Sequence, residues 1–238
     1  MSGKKQVTIV TGASKGIGRS IALKLANEGH TLSVFGRNEN ELKSLVEEIN
    51  KLGNESIYFS GDVLDKKFVN KSVEETLKKF GQVDNLINNA GMGIFKKFID
   101  SELEEFQRQV DTNVYGIYNF TKAVLQNMID RKTGTIINIA SLAGKNAFIG
   151  GTMYSATKHA VLGFTKSLML EVREYNIKVS VVCPGSVETD FNSGSHKDPE
   201  RIGKILTPND IADAVSLIIN LPISANLSEL DLRPTKPK

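Results

Sequence analysis

The chain has 238 residues, of which 40% are hydrophobic and 24% charged, with a formal net charge of +3. Acidic and basic residues are interleaved without a run of one sign, which argues against a nucleic-acid or membrane surface and is compatible with an anionic cofactor. No apolar stretch approaches the roughly 18 residues of a membrane span, and the N-terminus lacks a signal-peptide pattern. We therefore expect a cytoplasmic protein without nucleic-acid or membrane partners.

Short apolar runs alternate with longer helical patterns along the whole chain. Apolar residues recur at four-residue steps in the first helix, at Ile17, Ile21 and Leu25. Helices are predicted at 16–28, 39–52, 69–80, 102–129, 152–175 and 208–220. Strands are predicted at 7–10, 32–35, 56–60, 84–91, 135–141 and 177–185, with a closing strand at 227–234.

This alternation predicts an α/β fold: a Rossmann-type, doubly wound parallel sheet with helices on both faces. No linker divides the chain, so residues 1–238 are expected to form one dinucleotide-binding and catalytic domain. The polar segment 186–206 lacks periodicity and is predicted to be a substrate loop, with a plain disordered surface loop as the alternative.

A glycine-rich turn, TGASKGIG, follows the first strand and opens the first helix. Gly12, Gly16 and Gly18 allow a tight turn and close approach to a pyrophosphate, to which the helix N-terminus offers N–H donors. The spacing is neither G-x-G-x-x-G nor that of a phosphate loop. The residues between these glycines are predicted to join the dinucleotide site: Ser14, Lys15 and Ile17.

The end of the second strand, VFGRN, indicates which dinucleotide is bound. Gly36 stands where an NAD enzyme carries an acid for the ribose hydroxyls, and Arg37 follows it. With Lys15 nearby, two cations and no acid suit a 2′-phosphate, so the predicted cofactor is NADP(H). Asp62 and Val63, after the third strand, are predicted to hold the adenine. The residues that end the fourth strand border the same crevice: Asn89, Ala90 and Gly91.

The segment YSATK carries the residues with the clearest chemistry. Tyr154 and Lys158 are one helical turn apart, so the ammonium is expected to lower the pKa of the phenol towards neutrality. Ser141, at the end of the fifth strand, can polarise a carbonyl beside it. A second Tyr-x-x-x-Lys pair, Tyr118 and Lys122, has no supporting hydroxyl and is predicted to be an ordinary surface pair.

These motifs resemble those of the classical short-chain dehydrogenases/reductases, from residue 7 to about 189. The resemblance rests on TGASKGIG, DV after the third strand, NNAG, DTNV, the serine, YSATK and PGSVET. It implies a sheet of about seven strands, NADP or NAD, and the catalytic set Asn113, Ser141, Tyr154 and Lys158. Within the family, the chain is similar to NADP-dependent carbonyl and 3-oxoacyl-(acyl-carrier-protein) reductases.

The resemblance also implies a role for each residue. Tyr154 donates a proton to the substrate carbonyl, and Ser141 hydrogen-bonds the same oxygen. Lys158 binds the nicotinamide ribose and depresses the tyrosine pKa, while Asn113 fixes a backbone kink and a water that feeds protons to the lysine. The turn that receives the nicotinamide carboxamide corresponds to Pro184, Gly185, Val187 and Thr189.

The leading hypothesis is an NADPH-dependent oxidoreductase that reduces a ketone or aldehyde reversibly. The alternatives are a catalytically silent NADP-binding sensor, a 3-oxoacyl-(acyl-carrier-protein) reductase, and an epimerase or dehydratase. The acyl-carrier-protein reductases dock their partner on two arginines, of which Arg131 matches one while Tyr175 stands at the other. The expected partners are a small carbonyl or alcohol substrate and further copies of the chain, as a homodimer or homotetramer.

The substrate pocket is expected to involve residues 92–98, 142–148 and the loop after Ser186. Its apolar candidates suggest an apolar ketone or aldehyde: Ile94, Phe95, Phe98, Ala147, Phe148, Met153 and Phe191. No metal site is predicted, because His30, His159 and His196 share no ligand spacing. The single cysteine, Cys183, lies in an apolar run and is predicted to be a buried small hydrophobe.

Overall fold

The computed structural model describes residues 5–191 and 204–236, and its centre is one parallel sheet of seven strands. Their order across the sheet is β3-β2-β1-β4-β5-β6-β7. The strands are β1 (Val7–Thr11), β2 (Thr31–Gly36), β3 (Ser56–Ser60), β4 (Asn85–Asn88), β5 (Gly134–Ile139), β6 (Ile177–Pro184) and β7 (Glu229–Leu232). The predicted doubly wound sheet and its closing strand are confirmed.

Helices cover both faces of the sheet. They are α1 (Gly16–Asn27), α2 (Glu39–Lys51), α3 (Lys66–Phe80), α4 (Leu103–Val110), α5 (Gly116–Arg131), α6 (Thr152–Val172) and α7 (Pro208–Asn220). One core lies under α1, α2 and α7, and a second lies under α3, α5 and α6. Side chains alternate between the faces of a strand, so Ile9 and Val10 of β1 enter opposite cores. Each fully buried aliphatic side chain contributes roughly 1.5–3 kcal/mol.

The predicted helix 102–129 is the largest departure from the sequence-based expectation. It consists of α4 and α5 joined by a π-helical turn, Asp111–Tyr115. Periodicity could not show this turn, because it inserts one extra residue without breaking the helix. Such turns are frequent at functional sites, and this one contains Asn113. Similarly, α6 ends at Val172, and the predicted last turn is the 3₁₀ segment Arg173–Tyr175.

Cys183 is fully buried, as predicted, and burial raises the pKa of its thiol to about 11. His30 is buried against the Thr8 hydroxyl, and His196 lies outside the described residues.

Across residues 5–191 and 204–236, no three His, Cys, Asp or Glu side chains lie together as a potential metal site. None of the helices in the described part of the chain combines the length and apolar character needed to span a bilayer.

Lys178 of β6 caps the C-terminal end of α7 from the protein interior. Its side chain is buried, and Nζ donates to the carbonyl oxygens of Ile218, Ile219 and Leu221 at 3.2, 3.1 and 2.8 Å. The last carbonyls of a helix have no intrahelical partner, and here one ammonium satisfies three of them. The sheet therefore holds the end of the helix that packs on α1.

We expect Lys178→Met, which keeps most of the apolar stem, to lower the free energy of unfolding by about 1–3 kcal/mol, because buried carbonyls lose a charged donor. Urea unfolding followed by circular dichroism measures this loss. The matched control is Lys71→Met on the exposed face of α3, which should change stability by less than about 0.5 kcal/mol. Equal stability of the two variants would contradict the capping role.

Candidate active site

A cleft of about 1400 Å³ lies where β1 to β6 end at their carboxyl edges. Open α/β sheets bind ligands at this edge. Ligand pockets for drug-sized molecules usually measure about 300–1,000 Å³, so this cleft has room for a dinucleotide and a second small molecule. All the predicted cofactor-binding and catalytic residues line it except Gly18 and Asn113.

The glycine turn forms the floor of one end of the cleft. Gly12 and Gly16 adopt positive φ angles of 64° and 57°, which favour glycine. A Cβ at Gly12 would lie 2.8 Å from the Ala90 Cα atom, and one at Gly18 would lie 2.3 Å from the Gly12 carbonyl oxygen. Gly18 therefore packs α1 against the turn rather than lining the cleft.

The residues around this turn fit a pyrophosphate. Lys15, the N-cap residue of α1, makes no side-chain hydrogen bond to the first turn, and that turn contains no acidic residue. The first N–H groups of α1 therefore stay available to an anion, at the positive end of the helix dipole. Because glycines occupy the turn, no side chain at these residues blocks the approach of a ligand to the backbone.

The end of β4 fixes the shape of the turn. The Asn89 side chain donates from Nδ2 to the carbonyl oxygens of Thr11 and Gly12, both at 3.1 Å. The Thr11 hydroxyl oxygen accepts from the backbone N–H groups of Asn89 and Ala90, both at 3.0 Å. Asn89 and Ala90, predicted as cofactor contacts, thus also clamp the two central strands together beside the cleft.

The corner expected to hold the adenosine ribose contains the predicted cations. Arg37 lines the cleft, and Lys15 Nζ lies 3.4 Å from an Asp190 carboxylate oxygen, with both side chains exposed. Exposed ion pairs contribute little free energy, so Lys15 can exchange this partner for another anion. A Cβ at Gly36 would lie only 2.2 Å from Ser14 Oγ. Any side chain at residue 36 would therefore displace Ser14.

Asp62 and Val63 follow β3 and line the next part of the cleft. One Asp62 carboxylate oxygen accepts from the Leu64 N–H at 3.0 Å, and the Val63 carbonyl accepts from Asn119 Nδ2 at 3.0 Å. Val63 also packs on Gly116, where a Cβ would approach its side chain to 2.7 Å. The predicted adenine contacts are therefore held against α5.

Ser141, Tyr154 and Lys158 form one wall at the other end of the cleft. Ser141 follows β5, and its hydroxyl accepts from the Ala143 N–H at 3.1 Å and donates to the Pro184 carbonyl at 3.4 Å. Lys158 Nζ donates to the Ile139 carbonyl at 3.0 Å and lies 5.6 Å from the centre of the Tyr154 ring. The side chains from α6 thus meet the end of β5.

The expected pKa shift of Tyr154 is wrong in direction. Tyr154 and Lys158 are only 7% and 5% exposed. Burial raises the pKa of the Tyr154 phenol above its usual value, and a hydrogen bond with Ser141 opposes this only in part. Burial likewise lowers the pKa of Lys158 to about 8. The sequence argument considered attraction between the two groups and left out the cost of taking each charge out of water.

Asn113 lies just behind the cleft rather than in its wall. Its Oδ1 accepts from the Met92 N–H at 2.8 Å, and its Nδ2 donates to the Met92 carbonyl at 2.9 Å and to Thr157 Oγ1 at 3.0 Å. A Cβ at Gly91 would lie 3.2 Å from Asn113 Oδ1 and 3.8 Å from Lys158 Nζ. The absence of a side chain at Gly91 therefore leaves both groups close to the same point.

The second Tyr-x-x-x-Lys pair lies elsewhere. Tyr118 and Lys122 are exposed on α5 and do not line the cleft. Tyr118 instead borders a shallow surface depression with Tyr115 and Phe164. The sequence prediction of a surface pair agrees with this placement.

Three residues near the C-terminus also line the cleft and were not predicted: Arg233, Pro234 and Lys236. They reach it because β7 pairs with β6 and the Gly185 N–H donates to the Leu232 carbonyl at 2.8 Å. Gln109 of α4 was missed as well. It is fully buried, and its Oε1 accepts from the Ile94 N–H at 3.1 Å. A polar residue one turn before Asn113 was the only signal in the sequence.

The predicted substrate loop 186–206 is described only at its two ends. The Glu188 N–H donates to the Leu206 carbonyl at 2.8 Å, and the Leu206 N–H donates to the Ser186 carbonyl at 3.0 Å. The loop therefore leaves and rejoins the protein at one point beside the cleft. Its central part, 192–203, lies outside the described residues.

Comparison with known proteins shows the family to which the chain belongs. The family described as short chain dehydrogenase matches residues 6–200. The chain belongs to the short-chain dehydrogenase family. An uncharacterized oxidoreductase of Staphylococcus saprophyticus is 36% identical over 230 residues, which cover 96% of this chain and 97% of that protein. Family membership makes the chain an oxidoreductase.

Two solved structures are similar to this chain over nearly their whole length. An alcohol dehydrogenase from the archaeon Thermococcus sibiricus, complexed with 5-hydroxy-NADP, has a TM-score of 0.91 and 29% identity, and the match covers 98% of this chain and 99% of that chain. An NAD⁺-bound xylitol dehydrogenase has a TM-score of 0.88 and 26% identity, with 98% and 100% covered. Structural relatives thus hold either nicotinamide dinucleotide.

Proposed function

We propose that the protein is an NADPH-dependent reductase that converts a ketone or aldehyde to an alcohol, reversibly. One observation carries the proposal: Ser141, Tyr154 and Lys158 share a wall of a cleft that is large enough for a dinucleotide and a small substrate. The glycine turn at the other end of this cleft supports dinucleotide binding, because it offers unobstructed backbone donors to a pyrophosphate.

The reaction needs one hydride and one proton. NADPH held by the glycine turn and Arg37 would supply the hydride for the carbonyl carbon. Tyr154 is proposed to donate the proton to the carbonyl oxygen. Burial raises the pKa of its phenol, so the group is in its protonated form at neutral pH, but release of the proton then needs a nearby positive charge. The Ser141 hydroxyl is proposed to hydrogen-bond the same oxygen and to stabilise the negative charge that develops on it.

Lys158 is proposed to stabilise Tyr154 after the phenol has given up its proton. Its ammonium lies close enough to the ring to stabilise a phenolate, which would otherwise be costly in this buried position. Asn113 is proposed to keep the backbone at Met92 in place and to hold a water that returns protons to Lys158. Its position directly behind Gly91 supports that role. In the oxidation direction, the phenolate accepts the alcohol proton.

The preference for NADPH over NADH rests on the ribose corner. Relatives hold either cofactor, so family membership leaves the choice open. Gly36 offers no carboxylate to ribose hydroxyls, and Ser14 fills the space in which an acidic side chain would start. Arg37 presents a planar guanidinium suited to a phosphate, and Lys15 adds a second cation at the same corner.

The alternative functions have less support. A silent sensor would not need the complete set of Asn113, Ser141, Tyr154 and Lys158. Docking of an acyl carrier protein on Arg131 is disfavoured, because its guanidinium donates to the Val83 carbonyl at 2.8 Å and forms an ion pair with Asp84. An epimerase or dehydratase is disfavoured by the glycine spacing.

We further propose that the chain forms at least a homodimer through α5 and its neighbours. Tyr115 and Tyr118 are large and exposed on this face, beside the partly buried Phe164 of α6. Exposed apolar residues that cluster in this way are a feature of protein interaction surfaces.

We expect Tyr154→Phe to reduce turnover by roughly 10²–10⁴-fold, the usual contribution of a positioned general acid. NADPH binding should survive, since only a hydroxyl is removed. The control is Tyr118→Phe on the exposed Tyr-x-x-x-Lys pair, which should keep normal turnover. Steady-state rates and NADPH titrations of both variants measure this. Equal losses, or normal turnover in Tyr154→Phe, would overturn the mechanism.

We expect Arg37→Asp to weaken NADPH binding by about 1–3 kcal/mol, through lost charge-assisted hydrogen bonds and added repulsion. NADH carries no 2′-phosphate, so its binding should change far less or improve. Fluorescence titration with both cofactors measures the difference within one variant. A wild-type protein that binds NADH as tightly as NADPH would show that this corner does not select the cofactor.

For the assembly, we expect sedimentation at micromolar concentration to show a dimer or tetramer. Tyr118→Glu should shift the distribution towards the monomer, because it places a charge in the proposed interface. A wild-type protein that sediments only as a 26.1 kDa species would rule the assembly out.

A further inference from the structure

Three phenylalanine rings form a cluster with the Tyr154 ring at the substrate end of the cleft. Phe95 comes from the loop after β4, Phe148 from the loop before α6, and Phe191 from the segment after β6. The Phe95 and Phe191 ring centres lie 5.1 and 5.9 Å from that of Tyr154, and Phe148 lies 5.9 Å from Phe95. We call these four residues the aromatic box.

Glycines in two loops make room for these rings. A Cβ at Gly93 would lie 2.6 Å from Phe95 Cζ and 3.0 Å from Phe191 Cε1. A Cβ at Gly151 would lie 2.4 Å from Phe148 Cε1. Any side chain at either glycine would push a ring away. The observed ring positions therefore require glycine at both residues.

The loops that carry two of the rings are also tied to each other and to α4. The Ile94 N–H donates to the buried Gln109 side chain at 3.1 Å, and the Lys96 N–H donates to the Gly150 carbonyl at 3.0 Å. Lys96 Nζ and a Glu105 carboxylate oxygen are 2.6 Å apart. Phe95 and Phe148 are therefore held in place from both sides, which lowers the entropy lost when a ligand binds between them.

The box leaves aromatic surface open to the cleft. Phe148 and Phe191 are 46% and 42% exposed, although both line the cleft beside the buried Tyr154. The rings meet Tyr154 at tilted or edge-to-face angles of 56° to 72°, so their faces and edges point in several directions. A flat aromatic ring can meet such walls by stacking on one and presenting its edge to another.

We propose that the aromatic box selects a carbonyl substrate whose carbon is bonded to an aromatic ring, an aryl aldehyde or aryl ketone. This rests on the proposed function, since Tyr154 must face the carbonyl oxygen. A saturated ring of the same size is thicker and lacks the charge distribution of an aromatic ring. It therefore fits between the walls less well, even though it is equally apolar.

The test compares an aryl probe with its saturated counterpart. Benzyl alcohol and cyclohexylmethanol are titrated into the NADPH-loaded protein by calorimetry, and the ratio of their affinities is the readout. Turnover of benzaldehyde and cyclohexanecarbaldehyde is measured in parallel. The variants are Phe95→Leu and Phe148→Leu. The matched control is Phe98→Leu: the sequence predicted Phe98 in the substrate pocket, but the structure places it outside the cleft lining, with its side chain 70% exposed.

We expect the wild type to bind benzyl alcohol more tightly, and each box variant to lower the affinity ratio roughly three- to tenfold. Phe98→Leu should leave the ratio unchanged. If Phe95→Leu does not fold, Phe148→Leu gives the same test, because its ring is half exposed. Equal wild-type affinities, or a ratio that both folded box variants retain, would overturn the proposal and leave the rings as mutual packing.

The calorimetric readout separates this proposal from the proposed function. An aryl preference that the box variants lose supports the box even if no carbonyl compound is reduced, and that second result would refute the reductase proposal alone. Reduction of both aldehydes with a preference unaffected by Phe95→Leu and Phe148→Leu would refute the box alone.

Discussion

The side-by-side burial of a phenol and an ammonium, Tyr154 and Lys158, is the constraint on which the rest of the site depends. Removing an ammonium from water is costly unless it is hydrogen-bonded, and here the Ile139 carbonyl at the end of β5 accepts from it. That contact requires α6 to pack closely on the sheet. It also brings the pair to the point where Ser141 follows β5, so one packing arrangement assembles the whole wall.

Much of the fold and the site could be predicted because the relevant signals are local. Continuous apolar strands between amphipathic helices specify a covered parallel sheet, and the carboxyl ends of such strands converge on one crevice. Residues that follow different strands, such as Gly12, Asp62 and Ser141, could therefore be assigned to one cleft without knowledge of their distances. The sequence could also distinguish the two Tyr-x-x-x-Lys pairs, because a serine at a strand end is available to Tyr154 and not to Tyr118.

What could not be predicted depends on contacts between distant parts of the chain. The approach of Arg233 to the cleft follows from the pairing of β7 with β6, which spacing along the chain does not encode. The ion pair of Lys15 with Asp190 likewise joins segments that are far apart in the sequence. The pKa direction of Tyr154 required its degree of burial, which no motif states. Likewise, an apolar pattern identifies Phe95 as a pocket candidate but cannot distinguish a stacked aromatic wall from ordinary core packing.

The π-helical turn Asp111–Tyr115 has a consequence for how this part of the protein can change. One residue adds about 100° of rotation in a helix. The extra residue therefore changes the direction in which the side chains of α4 point, relative to those of α5. Both helices can then keep their apolar faces on the protein while Gln109 and Asn113 reach the backbone after β4. Substitutions on the outer surface of α4 leave that direction unchanged. Loss of a single residue within the turn would rotate α4 as a unit, so insertions and deletions are constrained here far more tightly than side-chain identity.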